Sequence, residues 1–339
     1  MDHKTLAALA VGLAGVAGFT YPQEGKTTEQ EYKHIESFKG IPAGELLPAM
    51  RFMSASLGVK CVFCHNTEDF PSEEKPQKQR ARQMIAMQRQ IDRAFFAGQG
   101  EVTCTSCHNG HTSPARRPSL TGLVLRHTMP TTEMPTDDVF SKFLKARGAT
   151  LKSISLSGVS VHAGRPDSAY ELLETETGKF ALTAGLNRFV CDGSSVWRVG
   201  ENGAEPAPGD SGDIVRRTVR LFLGASPFGA YEKPFVAGFE KIDGRDTVVV
   251  RGRIPADKVL EDLYFDKETG LLARVATQRE TVLGSLPSFM DYGDYRLVDG
   301  MMTPFKIVVT SPDGEATTTN FATAKGNVEV PDAAFKPPH

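Results

Sequence analysis

The chain has 339 residues, 40% of them hydrophobic and 24% charged, with a formal net charge of −2. This is the composition of a globular protein able to bury cores, and it lacks the basic surplus that nucleic-acid binding requires. At about 150 residues per domain the length predicts two domains.

The N-terminus reads as an export signal over residues 1–20. Lys4 precedes an apolar stretch from Leu6 to Phe19, too short to span a bilayer, and Gly15-Val16-Ala17 offers a cleavage site. A retained membrane anchor is the alternative. Both place the rest of the chain outside the cytoplasm, in the periplasm or on a membrane facing it. Residues 21–40 are polar and mixed, a lead-in arm.

From Ile41 to about Thr112 helices alternate with loops. Glu45 to Gly58 predicts a helix, with Pro48 in its first turn and Gly58 as its C-cap. Met50, Met53 and Leu57 share one face of it. Directly after comes Cys61-Val62-Phe63-Cys64-His65, the attachment signature of c-type haem: two thiols add to the porphyrin vinyl groups and the adjacent His ligates iron. Pro76 to Ala97 predicts a longer helix stopped by Gly98, with Met84, Met87, Ile91 and Phe95 on one face. A second signature follows, Cys104-Thr105-Ser106-Cys107-His108.

Zinc accepts four cysteines, but the pairs stand further apart than the ~15–20 residues of compact zinc modules, and zinc needs no His after each pair. A disulfide across two intervening residues is strained, belongs to redox enzymes, and leaves both His unexplained. Two covalently bound haems account for all six residues. A helix lying across each porphyrin can drop a Met sulfur onto iron opposite the His, and Met/His ligation suits electron transfer. Spacing does not choose between the two Met of each stripe. A Met stripe is also ordinary core packing, and His111 or His127 offers bis-His ligation. His34, His162 and His339 carry no pattern.

Residues 115–135, bounded by Pro114 and Pro135 and holding Pro118 and Pro130, read as a linker. Thr136 to Arg147 predicts a short helix with Thr136 as N-cap and Gly148 as stop. Beyond Gly148 the pattern turns to period two. Turn signals recur at Glu176-Thr177-Gly178, Asp192-Gly193, Asp243-Gly244, Lys267 to Gly270, Asp299-Gly300 and Pro312-Asp313-Gly314. Strands so punctuated make a large antiparallel sheet. Cys191 reads as a buried small apolar residue.

Three stretches carry a family resemblance: Met50 to Asn66 with Met50-Arg51-Phe52-Met53 leading into the first motif, Lys78 to Asp92, and Val102 to Gly110. Together, over roughly residues 38–114, they resemble the cytochrome subunit of photosynthetic reaction centres. That family repeats a unit of Met-bearing helix, turn and haem motif. The resemblance implies Met50 and Met84 as sixth ligands, Met53 and Met87 being the fallback. Family members in reaction centres carry four haems, whereas this chain has cysteines for two, so it is similar instead to two-haem relatives and no photosynthetic role is implied. Over about 140–337, phrases such as Val190 to Trp197, Leu263 to Leu272 and Asp291 to Gly300 resemble the lipoprotein-carrier fold, a curved antiparallel sheet wrapped over a helix that shelters apolar molecules.

The expected fold is therefore α+β: a helical dihaem unit over 21–114, then a curved β-sheet unit with a short helix over 136–339. The expected function is an exported electron carrier with redox proteins as donor and acceptor. A dihaem peroxidase or another small-molecule oxidoreductase is one alternative. A β protein binding an apolar molecule, with the haems as redox sensors, is the other.

Overall fold

The computed structural model describes residues 25–114, 134–200, 203–207, 211–223, 228–229, 231–254, 259–311 and 314–336. The export signal, nearly all of the linker, His127 and His339 lie outside the described residues. Among those described, no helix is long and apolar enough to cross a membrane.

The first part holds α1 (Thr28–Glu31), α2 (Leu46–Leu57), α3 (Pro76–Phe95) and α4 (Cys104–His108). Pro48 sits in the first turn of α2, where its missing N–H costs nothing. Gly58 ends that helix in the left-handed region at φ 66°, with its N–H and that of Val59 donating to Ala55 O and Ser54 O. α3 begins at Pro76 and ends one turn before the glycines. Its buried Asp92 turns back to accept the Gly100 N–H at 3.1 Å.

α5 (Thr136–Arg147) opens the second part. Thr136 is its first residue, not its N-cap: Pro135 takes that place, and the Thr136 hydroxyl donates to Pro234 O at 3.2 Å. Then come β1 (Ser153–His162), β2 (Ser168–Thr175), β3 (Phe180–Ala184), β4 (Asn187–Cys191), β5 (Val196–Gly200) and β6 (Gly203–Pro206). A further helix, α6 (Ser211–Leu223), leads to β7 (Glu232–Ile242), β8 (Arg245–Ile254), β9 (Val259–Asp266), β10 (Leu272–Thr281), β11 (Gly284–Val298), β12 (Met301–Thr310) and β13 (Ala316–Gly326).

All thirteen described strands form one antiparallel sheet, in the order β6-β5-β4-β3-β2-β1-β13-β12-β11-β10-β9-β8-β7. The sheet is curved and unclosed, so the fold is α+β as expected. Two-residue turns at Asp243-Gly244 and Asp299-Gly300 place both residues at positive φ (49° and 81°; 45° and 86°). That geometry matches the strand twist, and Asp-Gly supplies it cheaply. Helix α5 contacts both β7 and β12, far apart in the sheet order, so the sheet has to bend around it. One core fills the bend: Phe143 of α5, Phe228 and Phe265 pack edge to face, and Phe140 stacks on Phe228 at 3.8 Å. Cys191 is fully buried there.

Sequence reading missed α6. Ile214, Val215, Thr218 and Val219 have helical spacing, but β-branched residues flanked by strand-like segments read as sheet.

The two parts meet at the tip of the β10–β11 hairpin. Leu283 and Leu286 are buried in a cluster with Phe38, Ala49, Phe52 and Ile85, against which Met50, Met53, Cys104 and Val282 pack. Arg279 reaches Glu45 at 3.3 Å, and Lys60 pairs with Glu315 before β13.

Candidate haem-attachment site

Each Cys-x-x-Cys-His segment forms one helical turn, which explains its spacing. In the first, the Cys64 and His65 N–H groups donate to Cys61 O at 3.2 and 3.0 Å. The second is α4, opened by a reciprocal cap in which Thr103 N–H donates to Ser106 Oγ at 3.1 Å. Residues three and four apart on such a turn share a face, so both cysteines and the histidine of each segment project from the same side of the turn.

The thiols of Cys61, Cys64, Cys104 and Cys107 are free. Burial pushes the Cys64 and Cys104 thiols up, although Lys75 opposes it at Cys64. This is the reverse of the depression that a redox Cys-x-x-Cys pair shows. Among the described residues no three of His, Cys, Asp and Glu converge as metal donors, so the two pairs do not merge into one four-thiolate centre.

Both imidazoles are held in the same way. His65 Nδ1 lies 3.0 Å from Phe70 O, and His108 Nδ1 lies 2.9 Å from His111 O. A carbonyl oxygen only accepts, so each Nδ1 is the protonated nitrogen. The lone pair of the neutral ring then sits on Nε2, the tautomer and orientation that a metal-bound histidine takes from an outer carbonyl. His111 thus contributes its backbone, while its ring is exposed.

The loop receiving His65 is itself fixed. Lys78, in the first turn of α3, points its ammonium at Phe70 O, Pro71 O and Ser72 O at 3.1, 2.9 and 3.0 Å. Its neighbour Lys75 donates to Val62 O inside the first motif. Glu73 pairs with Lys78 at 3.0 Å and clasps Arg82 through two bonds of 2.6 and 2.7 Å. The guanidinium of Arg82, with Lys78 adding to it, holds the Glu73 carboxyl down to about 2. Sequence reading assigned no role to these four charged residues, because at the start of a polar helix they look like a solvated face.

The second Cys-x-x-Cys-His turn packs on the C-terminal end of α2, from which the first follows after Gly58. Gly110 N–H donates to Ser56 O at 2.9 Å, Ser56 Oγ and Thr105 Oγ1 are 2.8 Å apart, and a Cβ on Gly58 would strike Gly110 O. Met50 and Met53 on α2 are both half-buried; on α3, Met84 is half-buried and Met87 exposed. Large apolar side chains stand exposed near the motifs in sequence, notably Val62, Phe63, Phe70, Met87, Phe96 and, at 77%, Phe95. The Phe70 ring lies 5.4 Å from that of His65, and exposed apolar side chains on the same segments as free thiols and oriented imidazoles suit a porphyrin.

Residues 17–119 match the family described as Photosynthetic reaction centre cytochrome C subunit. This part of the chain is cytochrome c-like. Cytochrome c-554 of Chloroflexus aurantiacus is 33% identical over 96 residues, which cover 26% of this chain and 23% of that protein. The chain thus spans about a quarter of the length of that relative. The likeness implies covalently bound haem c. For the β part, similar solved structures include a LolA superfamily protein from Nitrosomonas europaea (15% identity, TM-score 0.42, covering 59% of this chain and 96% of that one). A DUF1329 family protein from Desulfovibrio piger is another (15%, TM-score 0.41, 60% and 97%).

Proposed function

We propose that the protein is an exported dihaem c-type cytochrome that passes electrons between redox proteins. Cys61 and Cys64 hold one porphyrin, Cys104 and Cys107 the other. His65 and His108 are the proximal ligands. Met50 and Met84 fill the sixth positions, with Met53 and Met87 as alternatives one turn further on. The observation that carries the reading is the pair of Nδ1–carbonyl hydrogen bonds, which makes Nε2 the acceptor nitrogen of each imidazole in a motif whose thiols are unpaired. Bound there, haem supplies a one-electron ferrous/ferric couple. The chain's own groups orient the imidazoles, exclude water from one side through the Phe52 cluster, and pack the second attachment turn on the end of α2 from which the first follows. That proximity favours exchange between the two centres.

The β part reads best as a docking module. Its bend is filled by the Phe140, Phe143, Phe228 and Phe265 rings, and its β10–β11 tip closes the core of the cytochrome-like part.

Intact mass with a pyridine haemochrome assay tests the proposal. Two haems are expected, and one in a C61A/C64A variant; a wild-type count below two overturns it. A Met–Fe(III) band from both centres supports the carrier, whereas a high-spin centre moves the reading to a small-molecule oxidoreductase.

A further inference from the structure

We infer that Lys78 is a positioning residue that raises the reduction potential of the first haem by acting on the Phe70 carbonyl. The inference rests on the haem reading above and names a control of that site. Phe70 O receives two donors: His65 Nδ1–H at 3.0 Å and the Lys78 ammonium at 3.1 Å.

A carbonyl shared with a cation is a poorer acceptor for the imidazole N–H. The ring then takes less imidazolate character and gives less density to iron, which favours the ferrous state; outer hydrogen bonds tune a metal through its ligand in this way. The ammonium's own charge acts in the same direction.

Lys78 is well placed for the role. Its side chain is 13% exposed, and its three N–H groups are shared among three consecutive carbonyls and the Glu73 carboxylate, which holds the cation over the loop. Glu73, the more exposed of the pair, lies 3.0 Å from Lys78 and partly offsets its charge. The acceptor of the second histidine, His111 O, belongs to the other attachment turn. A change at Lys78 therefore reads out on one haem.

The test is a spectroelectrochemical titration of K78Q, with the haem count and the His65 ring ¹⁵N resonances measured on the same samples. Two attached haems are expected. The first potential should fall by roughly a tenfold change in the ferrous/ferric equilibrium, about 59 mV for one electron. The second should stay in place, and the His65 ring nitrogens should shift. K78R, which keeps the charge, should stay near wild type.

Equal shifts of both potentials, or none with two haems attached, overturn the inference. So does a K78R fall as large as that of K78Q. If K78Q does not retain the first haem, E73Q takes its place: with Lys78 intact and its counter-charge gone, the first potential must rise, and no rise overturns the inference. Wild-type protein without haem would instead overturn the cytochrome reading itself.

Discussion

At the scale of single residues, the loop that receives His65 is braced by charged groups, one of which, Glu73, has its protonation set by neighbours. Glu73 has its carboxyl lowered from an ordinary value near 4.5 to about 2 by Arg82 first, then Lys78. A depressed carboxyl contributes stability that is present above the unfolded pKa and lost as pH falls through the folded one. E73Q should therefore destabilise the protein at pH 7, and the difference should shrink between about pH 4.5 and 2. The Glu73 side chain is 40% exposed, so solvent screening keeps the effect under about 1 kcal/mol. Thermal melts of both proteins across that range check it; a gap that widens toward acid contradicts it.

Gly284 matters for a steric reason. It takes φ +143°, and a Cβ there would lie 2.7 Å from the Phe52 ring and 3.0 Å from Thr103 Cγ2. Gly284→Ala combines backbone strain with overpacking, and should cost about 1–3 kcal/mol in a melt of the whole protein.

The β10–β11 hairpin is the element that joins the two parts, and its tip explains an oddity of the sequence. Thr281-Val282-Leu283-Gly284 is an apolar turn, where surface hairpins carry Asn, Asp and Gly. Val282 and Leu283 are apolar because they are core residues of the other part: Leu283 is 5% exposed, packed with Phe52 and Ile85. Leu283→Ala should cost roughly 2–4 kcal/mol by the lost transfer energy plus the cavity left behind. The loss should appear as early melting of the Cys104 region, read by hydrogen exchange over residues 49–53 and 102–110. Uniform destabilisation confined to the sheet would argue against the hairpin's role. The sheet's edges are quieter. β6 is four residues long with Pro206, and β7 begins Glu232-Lys233-Pro234, features that discourage strand addition.

At the scale of the whole molecule, the cytochrome-like part does not own its core. The Phe52 cluster takes Leu283 and Leu286 from the sheet, and Arg279–Glu45 and Lys60–Glu315 bridge the same boundary. A chain ending at residue 135 should leave that cluster open to water, melt below the full-length protein and self-associate, since an exposed apolar patch is an aggregation surface. Light scattering and melting of the two forms decide this; equal stability would mean that the sheet only rests on its neighbour.

The chemistry was written in local sequence and the assembly was not. A Cys-x-x-Cys-His turn needs only five consecutive residues, so both motifs and their helical turns stand out in the sequence, together with Gly58, which caps α2, and Pro76, which opens α3. Asp243-Gly244 and Asp299-Gly300 likewise announce hairpins, because φ > 0 at both positions is a property of the turn itself. What supports those sites comes from residues distant in the chain. The carbonyls that orient His65 and His108 have no side-chain signature. Lys78 resembles any helix lysine until the loop at 70–72 folds over it, and α6 resembles a strand. The apolar tip at Val282-Leu283 makes sense only once 230 residues of chain have brought it onto Phe52, a separation that can be read from the numbering alone. Short-range sterics and covalent spacing are legible one residue after another; burial and shared hydrogen-bond acceptors exist only when the chain has closed on itself.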